Sequence, residues 1–97
     1  MTPHQDRVTV DGHHVATLVM LGGDFPWAHG TYTPGPHAAV VAAAFVDLPD
    51  GRRELDVDRV TAAGLGPPVL DDATYLHTLV VRDDGSAAWR SGFDPLD

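Results

Sequence analysis

The sequence contains no cysteine, which excludes disulfide bonds, thiolate metal sites and thiol chemistry. Lysine, isoleucine and asparagine are also absent, and the six bases are all arginine, against fourteen acids and a net charge of −8. So acidic a chain is poorly suited to binding the phosphates of a nucleic acid or an anionic membrane surface. The absent residue types have AT-rich codons, which indicates a GC-rich, actinobacterial genome.

Long hydrophobic runs are absent too. No stretch approaches the roughly 18–20 apolar residues that span a bilayer, and the first residues lack the basic start and apolar core of a signal peptide. We therefore expect a cytoplasmic protein that does not enter the membrane. Its 97 residues, 43% of them hydrophobic, fit one domain. We expect this domain to span residues 1–97, with an ordered core at about 7–90 and frayed ends.

A β-hairpin is predicted near the start of the chain, where apolar and polar residues alternate around the dipeptide Asp11-Gly12. Asp-Gly tolerates the positive φ values of a two-residue turn. Pairing across this turn would set Val10 opposite His13 and Val8 opposite Val15.

A second hairpin is predicted near the end of the chain, at residues 74–90. A two-residue turn at Asp84-Gly85 would set Val80 opposite Trp89 and Val81 opposite Ala88.

The central segment can be interpreted in two ways. Helical spacing of Ala38, Val41, Phe45 and Leu48 predicts a helix over residues 37–48. A second, short helix would begin after Asp56 as N-cap and end at Gly64. Alternatively, residues 45–57 form a hairpin around Pro49-Asp50-Gly51, since Leu55 and Val57 alternate with charged residues and the valines at 40 and 41 favour strands.

Two terminal hairpins with one or two central helices make an α+β fold: an antiparallel sheet of four or more strands with one face covered by helix. The alternative is a mostly β fold with a central hairpin. In either fold the expected core includes Val8, Val10, Val15, Leu18, Val19, Leu79, Val80 and Trp89.

The stretch 23–35 is rich in aromatics, proline and glycine, and this composition predicts an irregular loop. Its aromatic side chains either cover the open face of the sheet or stand out as an anchor for a partner, because tryptophan and tyrosine dominate binding hot spots. The candidate binding residues in this loop are Asp24, Phe25, Trp27, His29 and Tyr32.

Two segments carry a resemblance to a known group. The glycine-ended strand that runs into Phe25-Pro26-Trp27 and Gly30, together with Tyr75-Leu76-His77, Asp84-Gly85 and Ala88-Trp89, resembles small uncharacterised actinobacterial proteins. That group implies a shared fold but no function. Its long charged helices are missing from the middle of this chain.

Catalytic and metal motifs are absent from the sequence. His13 and His14 are adjacent on a strand and therefore point to opposite faces, and no His-x-x-x-His pair or Gly-x-Ser-x-Gly elbow occurs. His77 alternates with apolar residues on a predicted strand, where it is either a hydrogen-bonded structural histidine or a base. We predict no catalytic residue, no metal site and no cofactor.

Two functions follow as hypotheses. The first is a small acidic, non-catalytic accessory module that acts through protein contacts, with a basic partner favoured by the net charge. The second is a small-ligand protein or minor enzyme that uses His77, His29 and Asp24 around a pocket. The sequence leaves homo-oligomerisation open.

Overall fold

The computed structural model describes residues 4–24 and 27–93 and shows a closed antiparallel β-barrel of six strands with a small helical part. A 3₁₀ helix covers Ala38–Ala44, and one α-helix, α1, covers Val57–Ala62. The strands are β1 (His4–Val10), β2 (His13–Asp24), β3 (Trp27–Pro34), β4 (Phe45–Asp47), β5 (Arg53–Leu55), β6 (Val69–Leu70), β7 (Tyr75–Val81) and β8 (Ser86–Gly92).

The barrel closes through pairings between distant parts of the chain. Strands β1, β2 and β3 form a meander, β3 pairs with β8, β8 with β7, and β6 joins β7 back to β1. The hairpin β4–β5 lies outside this ring and attaches to it through β7. The predicted α+β fold is therefore wrong, because the sheet closes on itself instead of leaving a face for helices to cover.

The first hairpin turns where the sequence predicts. Asp11 and Gly12 have φ values of 51° and 81°, which is the conformation of a tight two-residue turn. Val10 pairs with His13, as predicted. Val8 instead pairs with Ala16, because an irregularity after Val8 shifts the register by one residue.

The last hairpin has a longer turn than predicted. Arg82 and Ser86 flank a three-residue turn, residues 83–85, that ends in Gly85 at φ 86°. The extra turn residue shifts the register, so the predicted pairs are wrong by one position. Trp89 pairs with Leu79, and Val80 pairs with Ala88.

The stretch predicted to be an irregular loop is largely strand β3, so that prediction is wrong. Two long-range partners stabilise this strand, since β3 pairs with β2 on one side and β8 on the other. Its glycine, Gly30, fits a close approach between backbones. Its proline, Pro34, is the last residue of the strand, where the lost amide hydrogen bond costs little.

The central segment is a short 3₁₀ helix followed by a hairpin. The predicted helix over residues 37–48 is wrong because Phe45–Asp47 pairs with Arg53–Leu55, as the alternative interpretation expected. The second predicted helix is confirmed: Asp56 caps α1 by accepting hydrogen bonds from two backbone amides, and Gly64 follows its end at φ 83°.

The core fills the barrel interior and extends under both helices. The prediction holds for Val8, Val10, Val15, Leu18, Leu79 and Trp89, all of which are at least 97% buried. Val19 and Val80 are only half-buried, because they alternate with inward-facing neighbours and point outward. No helix within the described residues is long and apolar enough to cross a membrane.

Candidate functional site

An open groove of about 580 Å³ lies on the outer face of the barrel, where β3, β8 and β7 run side by side. The loop between β4 and β5 forms one of its walls. Aromatic, cationic and small apolar side chains line it: Trp27, His29, Arg52, Val80, Arg82 and Ala88.

The floor of the groove is a row of paired residues. Val80 of β7 pairs with Ala88 of β8, which pairs with His29 of β3. The neighbours of Val80 and Ala88 along their strands, such as Leu79 and Trp89, are buried in the core. Because side chains alternate along a strand, those of Val80 and Ala88 point outward and give the groove a shallow, mostly apolar floor.

One end of the groove is formed by Trp27, and Arg90 stacks on its ring. The Arg90 guanidinium carbon lies 5.9 Å from the centroid of the Trp27 ring, within cation–π range. Trp27 is half-buried and does not belong to the hydrophobic core. The Nε atom of Arg90 is buried and has no hydrogen-bond partner within the described part of the chain.

Two arginines occupy the other end. Arg53 pairs with Val81, which places Arg52 and Arg82 one residue beyond the ends of these two strands, and both line the groove. Arg52 forms an ion pair with Asp50 at 2.6 Å, which lowers the pKa of that carboxyl and raises the pKa of the guanidinium. Arg82 forms no ion pair with any side chain that the structure describes.

Asp84, two residues after Arg82, is already engaged in the turn. Asp84 accepts hydrogen bonds from the hydroxyl and backbone amide of Ser86, at 2.6 and 2.9 Å. These bonds lower the pKa of Asp84, the hydroxyl bond most. The turn is thus held by its own side chains.

The structure brings together only some of the predicted site residues. Trp27 and His29 both line the groove. Asp24 occupies the register position opposite Trp27, whereas its side chain and all of Phe25 lie outside the described residues.

Tyr32 has a different environment from Trp27. It packs against the core and meets Phe45 edge to face, with ring centroids 6.0 Å apart. Burial raises the pKa of its hydroxyl. Tyr32 is therefore a structural residue and does not line the groove.

His77 also lies away from the groove. It occupies an irregular position of β7 between Leu76 and Thr78, and its ring covers Gly92. A Cβ added to Gly92 would lie 2.5 Å from the imidazole Cε1. The structure therefore does not place His77 and His29 around one pocket.

Sequence reasoning missed Arg52, Arg82 and Ala88 as groove residues, and it placed Val80 in the core. No local motif marks these residues, because they meet only through the pairing of β5, β7 and β8. Only the correct register of the last hairpin could have identified part of the groove from the sequence, because it pairs Val80 with Ala88 and directs both side chains outward.

A second polar feature lies on β1. Asp6 is 95% buried, and its Oδ2 lies within hydrogen-bond distance, 2.8 Å, of His4 Nε2. Burial raises its pKa, against the opposing effect of His4, and the nearby Asp71 and Asp72 raise it further. Within residues 4–24 and 27–93, no three His, Asp or Glu side chains gather where they could hold a metal ion.

Comparison of the chain with protein-family models, with curated proteins and with solved structures gave no match. The resemblance to small actinobacterial proteins therefore stays a prediction.

Proposed function

We propose that this protein is a non-catalytic binding module that takes its protein partner in the groove between Trp27 and Arg52. The observation that carries the proposal is the position of Trp27. This large side chain lies outside the core, stacks with Arg90 and opens onto a groove of about 580 Å³.

The composition of the groove fits a binding surface. Tryptophan and arginine are the residues most enriched in interface hot spots, because each buries a large area and keeps a polar function. Val80 and Ala88 between them offer a flat apolar floor. An interface with an apolar centre and a charged rim has the usual anatomy of a protein contact.

A comparison of two aromatic truncations tests the proposal. The protein, Trp27→Ala and Phe93→Ala would each be used for affinity purification from the native host, and any specific partner would be titrated in pure form. Phe93 is an 86% exposed aromatic that does not line the groove, so it is the matched control.

We expect Trp27→Ala to weaken binding by about 2 kcal/mol or more and Phe93→Ala to leave it unchanged. Equal binding by all three proteins would contradict the assignment of the groove. The proposal includes a cytoplasmic location, which cell fractionation would test.

A small ligand is the second candidate. The groove volume falls within the range of about 300–1,000 Å³ that small-molecule sites occupy. Thermal denaturation with a set of small aromatic carboxylates would distinguish this candidate: a ligand that raises the melting temperature and shifts the NMR resonances of His29 and Val80 would favour it over a protein partner.

A further inference from the structure

We infer that the partner segment is acidic: an extended peptide with carboxylates at both ends of the groove and an apolar side chain between them. Arg52 and Arg82 would bind one carboxylate, Arg90 the other, and Val80 and Ala88 the apolar residue. This inference rests on the proposed function and names the chemistry of the partner.

The distribution of arginine is the first argument. The chain has six arginines among fourteen acids, so an arginine that lacks a carboxylate partner is unexpected on statistical and electrostatic grounds. Arg7 and Arg59 pair with Asp71 and Asp56 elsewhere on the surface. Among the described residues, Arg53, Arg82 and Arg90 form no ion pair. Arg53 lies over the Phe45 ring, whereas Arg82 lines the groove, where its charge helps to lower the pKa of Asp84, and Arg90 stacks on the groove residue Trp27.

The second argument is the position of two arginines at the same end of the groove. Arg53 pairs with Val81, so Arg52 and Arg82 lie directly beyond the ends of β5 and β7, and both line the groove. Asp50 and Asp83 line a smaller cleft beside the same two arginines, but only Arg52 forms an ion pair, with Asp50. Arg82 is therefore free of an ion pair at this end, and a ligand carboxylate would accept charge-assisted hydrogen bonds from it.

The third argument is the spacing of the two cationic ends. Arg82 pairs with Ser86 across the last turn, and Ser86 is four residues from Arg90 along β8. Four residues of strand span about 13 Å. An extended peptide has the same rise per residue as a strand. Two of its side chains four positions apart therefore point to the same side, about 13 Å apart, and can reach both ends of the groove.

The net charge of −8 opposes the approach of an acidic peptide at long range. Exposed charges interact weakly beyond the Debye length of about 8 Å at physiological ionic strength. Within the groove, the nearby guanidinium groups therefore dominate. We expect slow association and an affinity that depends on the arginines at contact distance.

Three synthetic peptides provide the test. They share one short extended sequence with two acidic positions four residues apart around a central leucine, and these positions carry Glu, Gln or Lys. Each would be titrated into the ¹⁵N-labelled protein, with the dissociation constant obtained from the groove resonances. The protein variants are Arg82→Gln and the matched control Arg59→Gln, whose arginine lies on α1 outside the groove.

The Glu peptide should bind at least roughly tenfold more tightly than the Gln peptide, and Arg82→Gln should remove most of that difference. Arg59→Gln should retain it. Arg82→Glu should lower affinity for the Glu peptide further and raise affinity for the Lys peptide, which a structural role for Arg82 would not produce.

If the Gln or Lys peptide binds in the groove with the same dissociation constant as the Glu peptide, the acidic inference is overturned and the proposed function stays in place. If no peptide shifts the groove resonances, the acidic inference also fails. In that case, the comparison of Trp27→Ala with Phe93→Ala decides the proposed function separately.

Discussion

The backbone of Gly30 in β3 packs directly against the Val19 carbonyl of β2, with no space for a Cβ atom between them. An irregularity in β2 between Met20 and Gly22 accompanies this approach and changes the register with β3. Glycine at this position lets the two strands bend together as the barrel curves.

Substitution of this glycine should destabilise the fold. Gly30→Ala would force the Val19 backbone aside, and we expect a loss of about 1–3 kcal/mol in the free energy of unfolding, measured by urea denaturation. Gly22→Ala is the control, because a Cβ there meets no atom within 4 Å. Equal unfolding free energies for the two variants would show that the β2–β3 contact tolerates a side chain.

The two tryptophans should differ in their contribution to stability. Trp89 is 3% exposed in the core, so Trp89→Ala should cost about 3–5 kcal/mol. Trp27 lies outside the core, and Trp27→Ala should lose only its stacking with Arg90, about 1 kcal/mol. Denaturation of both variants checks this, and a comparably large loss for Trp27→Ala would mean that it acts as a structural plug.

Asp6 should make the protein less stable as the pH rises. Burial raises its pKa above 3.8, so between the unfolded and folded pKa values the folded state binds more protons. The free energy of unfolding therefore falls as the pH rises through this window, and ionised Asp6 costs stability above it. Carboxyl ¹³C NMR would measure the raised pKa, and Asp6→Asn should remove this part of the pH dependence.

Asp71 provides a control of opposite sign. Asp71 accepts hydrogen bonds from the backbone amide and the side chain of Arg7. Both bonds lower the pKa of Asp71, the backbone bond most. Its contribution is present above the unfolded pKa and is lost as the pH falls through the folded value. A midpoint for Asp6 at or below that of Asp71 would contradict the assignment of Asp6 as the destabilised carboxylate.

The short helix α1 should depend on its cap. Asp56 Oδ1 accepts hydrogen bonds from the amides of Asp58 and Arg59, at 3.0 and 3.3 Å. Asp56→Ala should therefore lower the free energy of unfolding by about 0.5–2 kcal/mol. Asp58→Ala, in the first turn but without a capping bond, should cost less, and the reverse order in thermal denaturation would argue against the cap.

Features coded by neighbouring residues were predicted well. The turn at Asp11-Gly12 follows from the positive φ values that these residues tolerate, and α1 follows from Asp56 and Gly64 at its ends. Each of these signals depends on a few consecutive residues, so the sequence alone carries it.

Features coded by distant pairing were predicted poorly. Gly30 and Pro34 made β3 look like a loop, although β2 and β8 hold it as a strand. Alanine-rich spacing suggested one long helix, although pairing with β5 makes Phe45–Asp47 a strand. For the groove, Trp27 and His29 were candidates from their residue types, whereas Arg52 and Arg82 required the register of three strands.

The groove lies where β3 pairs with β8, a pairing between distant parts of the chain that closes the barrel. Its floor joins β3 to β8, and its cationic end adds the loop between β4 and β5, so three separated chain segments must assemble before it exists. A bound peptide would therefore stabilise the pairing of β3 with β8 and slow amide hydrogen exchange along both strands together. Occupancy of the groove would then report whether an individual molecule has completed its barrel.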